Sequence, residues 1–372
     1  QLDLNDKVFY PHKGGFILKS LTVEELQPGM VLARTIINEE MIVILSENTL
    51  LTKAHITRLG FLNIPVVYVK DEYDLSANYQ NVQAMFSRSN AFLTKYHDVV
   101  HTATEIFEVA AKDGHVPMNK TNKLVDHSLV PMVKESGVVD YLYELNHLAS
   151  DVYNHSLRVS ILAGVIAKWL QLPKAKTRDL ILAGFLHDIG KTNFSERLLD
   201  KQVENLRGQD LEDYMKHTLD GHHILSVKPH ISEGVKLAAL QHHERMDGSG
   251  LPFNSSGKDI HVYARIIAIA DIYDNITTER EGRVKQTPFT AIARITEDMY
   301  ASNLDAGICV AMLKHIKDVF LGSTVVLNNG KRGTIVRYPD DFATHPLISI
   351  SQEEIIDLNE HKDLRIVEYN PK

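Results

Sequence analysis

Between residues 127 and 320, apolar side chains recur at three- and four-residue spacing, most clearly from Leu157 to Leu170 and from Leu180 to Leu186. That period belongs to helices with a buried face. Strand alternation and Asn-Gly hairpins are missing there, so the segment predicts an all-α domain. Residues 1–75 instead carry short β-branched runs, Met41 to Leu45 and Val66 to Val69, around a helix predicted from Thr52 to Leu59. This is the pattern of a small α+β domain, with Pro28 and Gly29 marking an early turn. Over 76–126, Met85, Phe86, Phe92, Tyr96, Val99, Val100, Ile106 and Phe107 fall at helical intervals, which predicts one long amphipathic connector. Such a stripe serves as core or as the seam of a homodimer, and the helix near 80–110 is the candidate for self-association. Within 321–372, Thr324 to Leu327 and Thr334 to Val336 flank a hairpin-type turn from Asn328 to Gly333, so a small β appendage is expected. The predicted fold class is mainly α: a helical bundle over 127–320, a small α+β domain before it and a small β unit after it.

Composition narrows the partners. The chain has 372 residues, 44% of them hydrophobic and 24% charged, which suits a globular protein of two or three units with a full core. A formal net charge of -8 argues against a nucleic-acid polymer or an anionic membrane as partner. No run reaches the ~18 apolar residues of a membrane span. The lone thiol, Cys309, lies in an apolar run and reads as core. One cysteine excludes an internal disulfide framework and fits a reducing compartment, so a cytoplasmic location is expected.

The informative excess is histidine, with 19 residues, many of them in the helical region. Candidate ligands arrive there in order: His155, the pair His187-Asp188, a histidine among His217, His222 and His223, the pair His242-His243, and Asp271. A helix bundle can aim residues from several helices into one core site. Isolated histidines such as His230, His261 and His315 read as surface or hydrogen-bonded residues. Imidazole and carboxylate donors without thiolate favour iron or manganese. Asp188 can bridge two ions with its two oxygens, and ions about 3.5–4 Å apart can activate water and clamp a phosphoryl group.

These segments resemble the HD-domain phosphohydrolases, specifically the HD-GYP subgroup of bacterial cyclic di-GMP phosphodiesterases. The resemblance covers 127–320 and rests on five pieces in order. They are His155-Ser156-Leu157-Arg158-Val159, His187-Asp188-Ile189-Gly190-Lys191, His217 followed by Gly221 and Ile224-Leu225, His242 through Pro252, and Ala270-Asp271-Ile272-Tyr273-Asp274. It selects His217 among its neighbours and implies that His155, His187, Asp188, His217, His242, His243 and Asp271 are metal ligands, with Asp188 bridging. Some members add a third ion through a glutamate four residues before the first histidine. Asp151 stands at that position, so two or three ions are implied. Asp151 equally suits the start of a helix, where a carboxylate favours the macrodipole.

Opening a phosphodiester needs cations beyond the metals. Lys191 follows His187 by four residues and shares its helix face if the helix continues through Gly190. In the family this lysine contacts substrate phosphate, and Arg280 and Arg283 match further phosphate contacts. The loop Asp247-Gly248-Ser249-Gly250-Leu251-Pro252 can approach a ligand closely and then stop rigidly. Leu251 occupies the position of the subgroup's tyrosine, which puts the motif's interaction with cyclase domains in doubt rather than the metal chemistry. The resemblance implies attack of a metal-activated hydroxide on cyclic di-GMP, giving pGpG and in some members GMP, with Asp188 and Lys191 in catalytic roles. Two other readings stay open: hydrolysis of another cyclic dinucleotide such as cyclic GMP-AMP, or a non-catalytic ligand-binding signalling protein.

Overall fold

The computed structural model describes residues 18–33, 36–37, 43–45, 49, 51–62, 64, 66–70, 76–145, 151–194, 198, 206–227, 230–279, 284–339, 343–351 and 354–371. The chain divides into two compact units, Gln1–Ala91 and Phe92–Lys372.

In the first unit, β1 (Leu18–Leu21), β2 (Ile36–Ile37), β3 (Val43–Leu45), α1 (Lys53–Phe61) and β4 (Val67–Lys70) follow in order. Strand β1 pairs antiparallel with β4, Leu21 opposite Val67, and β2 pairs antiparallel with β3. Helix α1 starts at Thr52, whose hydroxyl accepts from the His55 N–H at 3.1 Å, the usual way to satisfy an orphan donor of the first turn. Leu21, Leu26, Leu32, Leu51, Leu59, Val67 and Val69 form its core. Strand β1 did not stand out in the sequence, being only four residues long with two of them polar. Met41 and Ile42 lie outside the described residues.

The second unit takes up α2 (Ser76–Asp113) from Phe92 onward. Phe92, Tyr96, Val99, Ala103, Ile106, Phe107 and Ala110 are buried in the unit's own core. The stripe from Phe92 is therefore used within the chain, while Met85 and Phe86 lie outside the described side chains. The helix stops well short of 126, because Gly114 adopts a left-handed φ of 66° and Pro117 has no N–H to continue the ladder. Next come α3 (Met118–Leu124), a π-turn (Val125–Leu129), α4 (Val130–Val133), α5 (Val138–Leu145), α6 (Val152–Trp169) and α7 (Lys174–Leu186). The bundle closes with α8 (Gly208–Ser226), α9 (Glu233–Gln241), α10 (Val262–Thr277), α11 (Pro288–Tyr300) and α12 (Ala306–Phe320).

Local chemistry sets several of these starts. Asp151 caps α6, Thr287 caps α11 ahead of Pro288 at its first position, and Asp305 caps α12. Cys309 is fully buried on α12, as its apolar run implies.

Five antiparallel strands follow: β5 (Thr324–Leu327), β6 (Arg332–Arg337), β7 (Leu347–Ser349), β8 (Ile355–Asp357) and β9 (Ile366–Asn370), ordered β8-β7-β6-β5-β9. The hairpin between β5 and β6 turns at Gly330, whose φ of 82° a side chain would disfavour. Val325, Ile335, Ile348 and Tyr369 of this sheet join the same apolar core as Leu157, Phe185, Ile267 and Leu313 of the helices. The Tyr369 hydroxyl, on the last strand, donates to the buried Asp140 carboxylate on α5 at 2.6 Å. Among the described residues, no helix is long and apolar enough to cross a membrane.

Candidate metal centre

The centre grows from the ends of helices. Helix α7 ends at Leu186, His187 is its cap, and the chain passes through Asp188 into a 3-10 turn (Ile189–Asn193). Asp188 has φ -101° and ψ 14°, the sparsely occupied bridge between helix and strand where active-site residues often sit. The turn lies hard against α8: a Cβ on Gly190 would fall 2.0 Å from the His217 carbonyl oxygen and 2.6 Å from the Gly221 nitrogen. Only glycine allows that approach, and it brings His217 over Asp188. His242 likewise caps α9, with His243 next in the chain, and Asp271 lies within α10.

Around Asp188 the side chains fall into two sets. Oδ2 lies 3.5 Å from His155 Nε2 and 3.4 Å from His187 Nε2. Oδ1 lies 3.3 Å from His217 Nε2 and 3.6 Å from His242 Nε2. The set His155, His187 and Asp188 and the set His217, His242 and His243 each have donor atoms close enough to hold a metal ion. Asp271 Oδ1 is 3.1 Å from His155 Nε2 and also accepts from Asn275 at 2.8 Å. One carboxylate thus presents one oxygen to each set.

The outer edge of each ring fixes its tautomer. Nδ1 of His187 lies 2.8 Å from the Gly184 carbonyl, that of His217 2.6 Å from Tyr214, and that of His242 3.0 Å from Ala239. A carbonyl only accepts, so each ring carries its proton at Nδ1 and turns the Nε2 lone pair inward. Each carbonyl lies three residues upstream. In α7 and α9 it belongs to the last turn, where carbonyls lack helical partners. His155 Nδ1 faces Asp274 Oδ2 at 2.8 Å instead.

The residues fit a cation. His217 and His242 bring their Nε2 atoms to 3.3 Å, two inward lone pairs that repel unless a positive charge lies between or beside them. Among the described residues, His187 Nε2, His243 Nε2 and Asp188 Oδ1 are buried without a well-formed hydrogen bond, an arrangement that is costly unless a cation satisfies them. Burial pushes the His187 imidazole down to about 3 and lowers His217 and His243 as well, leaving neutral donors. Burial acts on Asp188 in the opposite sense, but the adjoining His187 imidazole and the Lys191 charge hold its carboxyl well below the usual range. Burial also lowers His155, yet hydrogen bonds with Asp271 and Asp274 outweigh it and raise the ring. The carboxylates that favour a proton there favour a metal cation equally.

The remaining predicted residues separate. Lys191 Nζ is 2.6 Å from Asp188 Oδ2 and 5.1 Å from the centre of the Tyr214 ring. It reaches Asp188 from the 3-10 turn, three residues on, and not from a helix continued through Gly190. Asp151 is not in either set. Its Oδ1 accepts from the Asn154 N–H at 2.7 Å and both its oxygens accept from the Asn154 amide, the helix-start role. The exposed Asp247 folds back on Ser249, accepting from its N–H at 3.0 Å and its hydroxyl at 2.7 Å, and Gly248 turns with φ 83°. Arg280 and Arg283 lie outside the described residues. Leu251 packs with Leu206, Tyr214 and Met215, so the position of the subgroup's tyrosine is filled by apolar contact.

Four supporting groups had no assigned role in the sequence. Arg158 and Asp274 form a buried two-pronged pair, Nε to Oδ1 at 2.7 Å and Nη2 to Oδ2 at 3.2 Å. Each follows a candidate ligand by three residues, His155 and Asp271 respectively, and that one-face spacing was the available signal. Glu244, buried beside His243, accepts from the N–H groups of Phe253 at 2.7 Å and Ser255 at 3.0 Å and so ties down the loop. Gln241 joins the end of α9 to the start of α10, donating to Asp259 O at 3.0 Å and accepting from His261 N–H at 2.8 Å.

Comparison with known proteins accords with this geometry. Residues 143–308 match the HD-domain family model. A cyclic di-GMP phosphodiesterase of Pseudomonas aeruginosa is 30% identical over 213 residues, 57% of this chain and 51% of that protein. A 3'3'-cGAMP-specific phosphodiesterase of Vibrio cholerae is 32% identical over 160 residues, 43% of this chain and 34% of that protein. The chain spans about half the length of these relatives, or less. The solved structure of an HDG"Y"P protein from Bdellovibrio bacteriovorus shares the fold, with a TM-score of 0.52 at 18% identity over 80% of this chain and 98% of that one.

Proposed function

We propose that this chain hydrolyses a cyclic dinucleotide, cyclic di-GMP, at a centre of two divalent ions, iron or manganese. The reading is carried by Asp188, one oxygen toward His155 and His187 and the other toward His217 and His242. His155, His187, Asp188 and Asp271 would hold one ion, and Asp188, His217, His242 and His243 the other. Bound there, such a pair activates water and neutralises phosphate oxygens, the chemistry of phosphodiester cleavage. A donor set of imidazole and carboxylate, with the lone cysteine buried elsewhere on α12, favours iron or manganese. The ion count we propose is two, because the Asp151 carboxylate is engaged at the start of α6.

The chain's own groups divide the remaining work. Lys191, beside Asp188, supplies a fixed positive charge for a substrate phosphate oxygen. The backbone carbonyls behind His187, His217 and His242 hold the rings in place, so little rearrangement accompanies reaction. Opening one diester gives the linear pGpG.

Cyclic GMP-AMP is the second reading, favoured by the likeness to a Vibrio relative named for that substrate. The test is turnover of the two cyclic dinucleotides side by side, with manganese and, without oxygen, with ferrous iron, products being separated by chromatography. Cyclic di-GMP should be opened to pGpG faster than cyclic GMP-AMP. A reversed preference would select the second reading. No cleavage of either by protein containing two ions would overturn both.

A further inference from the structure

Behind His155 lies a chain of buried polar groups that the hydrolytic reading does not use. Asp274 Oδ2 takes both His155 Nδ1 at 2.8 Å and Arg158 Nη2 at 3.2 Å, while Oδ1 takes Arg158 Nε at 2.7 Å. Arg158 is 1% exposed, and its Nη1 has no hydrogen-bond partner among the described residues. On the far side stands Tyr96 of α2, also 1% exposed, whose hydroxyl donates to the Asn154 carbonyl at 3.3 Å. Asn154 immediately precedes His155 in α6, and Arg158 lies one helical turn further on, so one phenol is hydrogen-bonded to the backbone behind the ring and feels the charge of the guanidinium that pairs with Asp274. Burial raises the Tyr96 phenol, and the Arg158 charge beside it acts the other way. The Tyr96 ring stacks on Phe92 at 6.3 Å. A phenylalanine would supply that packing without the cost of burying a hydroxyl.

We propose that Tyr96 is a positioning residue for His155: through the Asn154 carbonyl and the Arg158–Asp274 pair, it sets where the ring presents Nε2 to Asp188 and Asp271. A carboxylate behind a metal-binding histidine commonly governs metal affinity by about 10–100-fold. Tyr96 stands one group further out, so a smaller effect of about threefold to tenfold follows from its hydroxyl. The effect falls on the His155 set and spares His217, His242 and His243. It makes α2 part of the apparatus that holds the centre.

The inference rests on the metal-site reading above, and its test separates the two. Metal-free full-length protein is titrated with Mn2+ alone by calorimetry, as wild type, Tyr96→Phe, Asp274→Asn and the double variant, with melting temperatures of the metal-free proteins recorded. Tyr96→Phe should weaken one of two Mn2+ sites about threefold to tenfold, leave the other unchanged and barely move the melting temperature. In the Asp274→Asn background its effect should shrink, because one of the two routes to the ring is already cut. If Asp274→Asn does not fold, His155→Gln replaces it, and Tyr96→Phe should then leave the remaining Mn2+ affinity unchanged. Equal weakening of both sites, full additivity in the double variant, or no change in Tyr96→Phe would overturn the inference alone. Failure of the wild type to take up two Mn2+ would overturn the metal-site reading, and the inference with it.

Discussion

Asp188 and Lys191 sit 2.6 Å apart, and the proposed function gives them separate duties that substitution can tell apart. Asp188→Ala removes both oxygens that the two histidine sets share. Turnover should fall below detection, with loss of at least one bound ion per chain while the helical signal persists. Near-native activity with two ions retained would place the shared carboxylate elsewhere. Lys191→Ala leaves every candidate ligand intact. Turnover should drop by about 10²–10³, the usual cost of one electrostatic contact to a reacting phosphate, with metal content unchanged. Parallel metal loss would instead make Lys191 a support for Asp188. The candidate ligands were legible as residues because histidine and aspartate are scarce in apolar helical stretches. Their partners Arg158 and Asp274 were visible as motif letters but had no role until His155 was seen against Asp274.

Between elements, contact at backbone distance decides how the centre is assembled. The 3-10 turn after Asp188 lies on α8 with no space at Gly190, so Gly190→Ala forces turn and helix apart. Overpacking ordinarily costs about 1–3 kcal/mol, and backbone atoms on both sides place this site at or above the upper end. A denaturant midpoint close to wild type would show that the turn yields more easily. The loop from Asp247 to Pro252 depends on Glu244 in a comparable way. Glu244→Ala leaves the Phe253 and Ser255 N–H groups without their acceptor, each at about 1–3 kcal/mol where water does not replace it. Faster proteolytic cutting within 247–256 is the expected sign, and an unchanged cutting pattern would mean that the loop is held by other contacts. A three-to-four residue period located the helices that carry these features. It could not place the end of α7 before His187, nor the break after Asp113, because periodicity records which side of a helix is buried rather than where the hydrogen-bond ladder stops.

Across the second unit the C-terminal sheet and the helices share one core, which makes the sheet part of the domain's cooperative unit. Tyr369 on β9 and Asp140 on α5 tie the two together at 2.6 Å. Tyr369→Phe should cost about 1–3 kcal/mol, since a buried acceptor loses a donor, and helix and sheet signals should melt together at a lower temperature. Separate transitions would reveal a sheet that folds on its own. Burial and the facing Asp140 both push the Tyr369 phenol up, so it stays a protonated donor at neutral pH. What the sequence by itself determined was the inventory and the local rules: helices with a buried face, a hairpin at Asn328 to Gly333, and seven candidate ligands in order. Which of these meet was decided by tertiary structure alone. His155 and Asp274 are 119 positions apart, Tyr369 and Asp140 229, and Tyr96 and Asn154 58. Such pairs leave no periodic trace, because side-chain spacing along a helix repeats every few residues, whereas burial of one polar group against another depends on how whole helices cross.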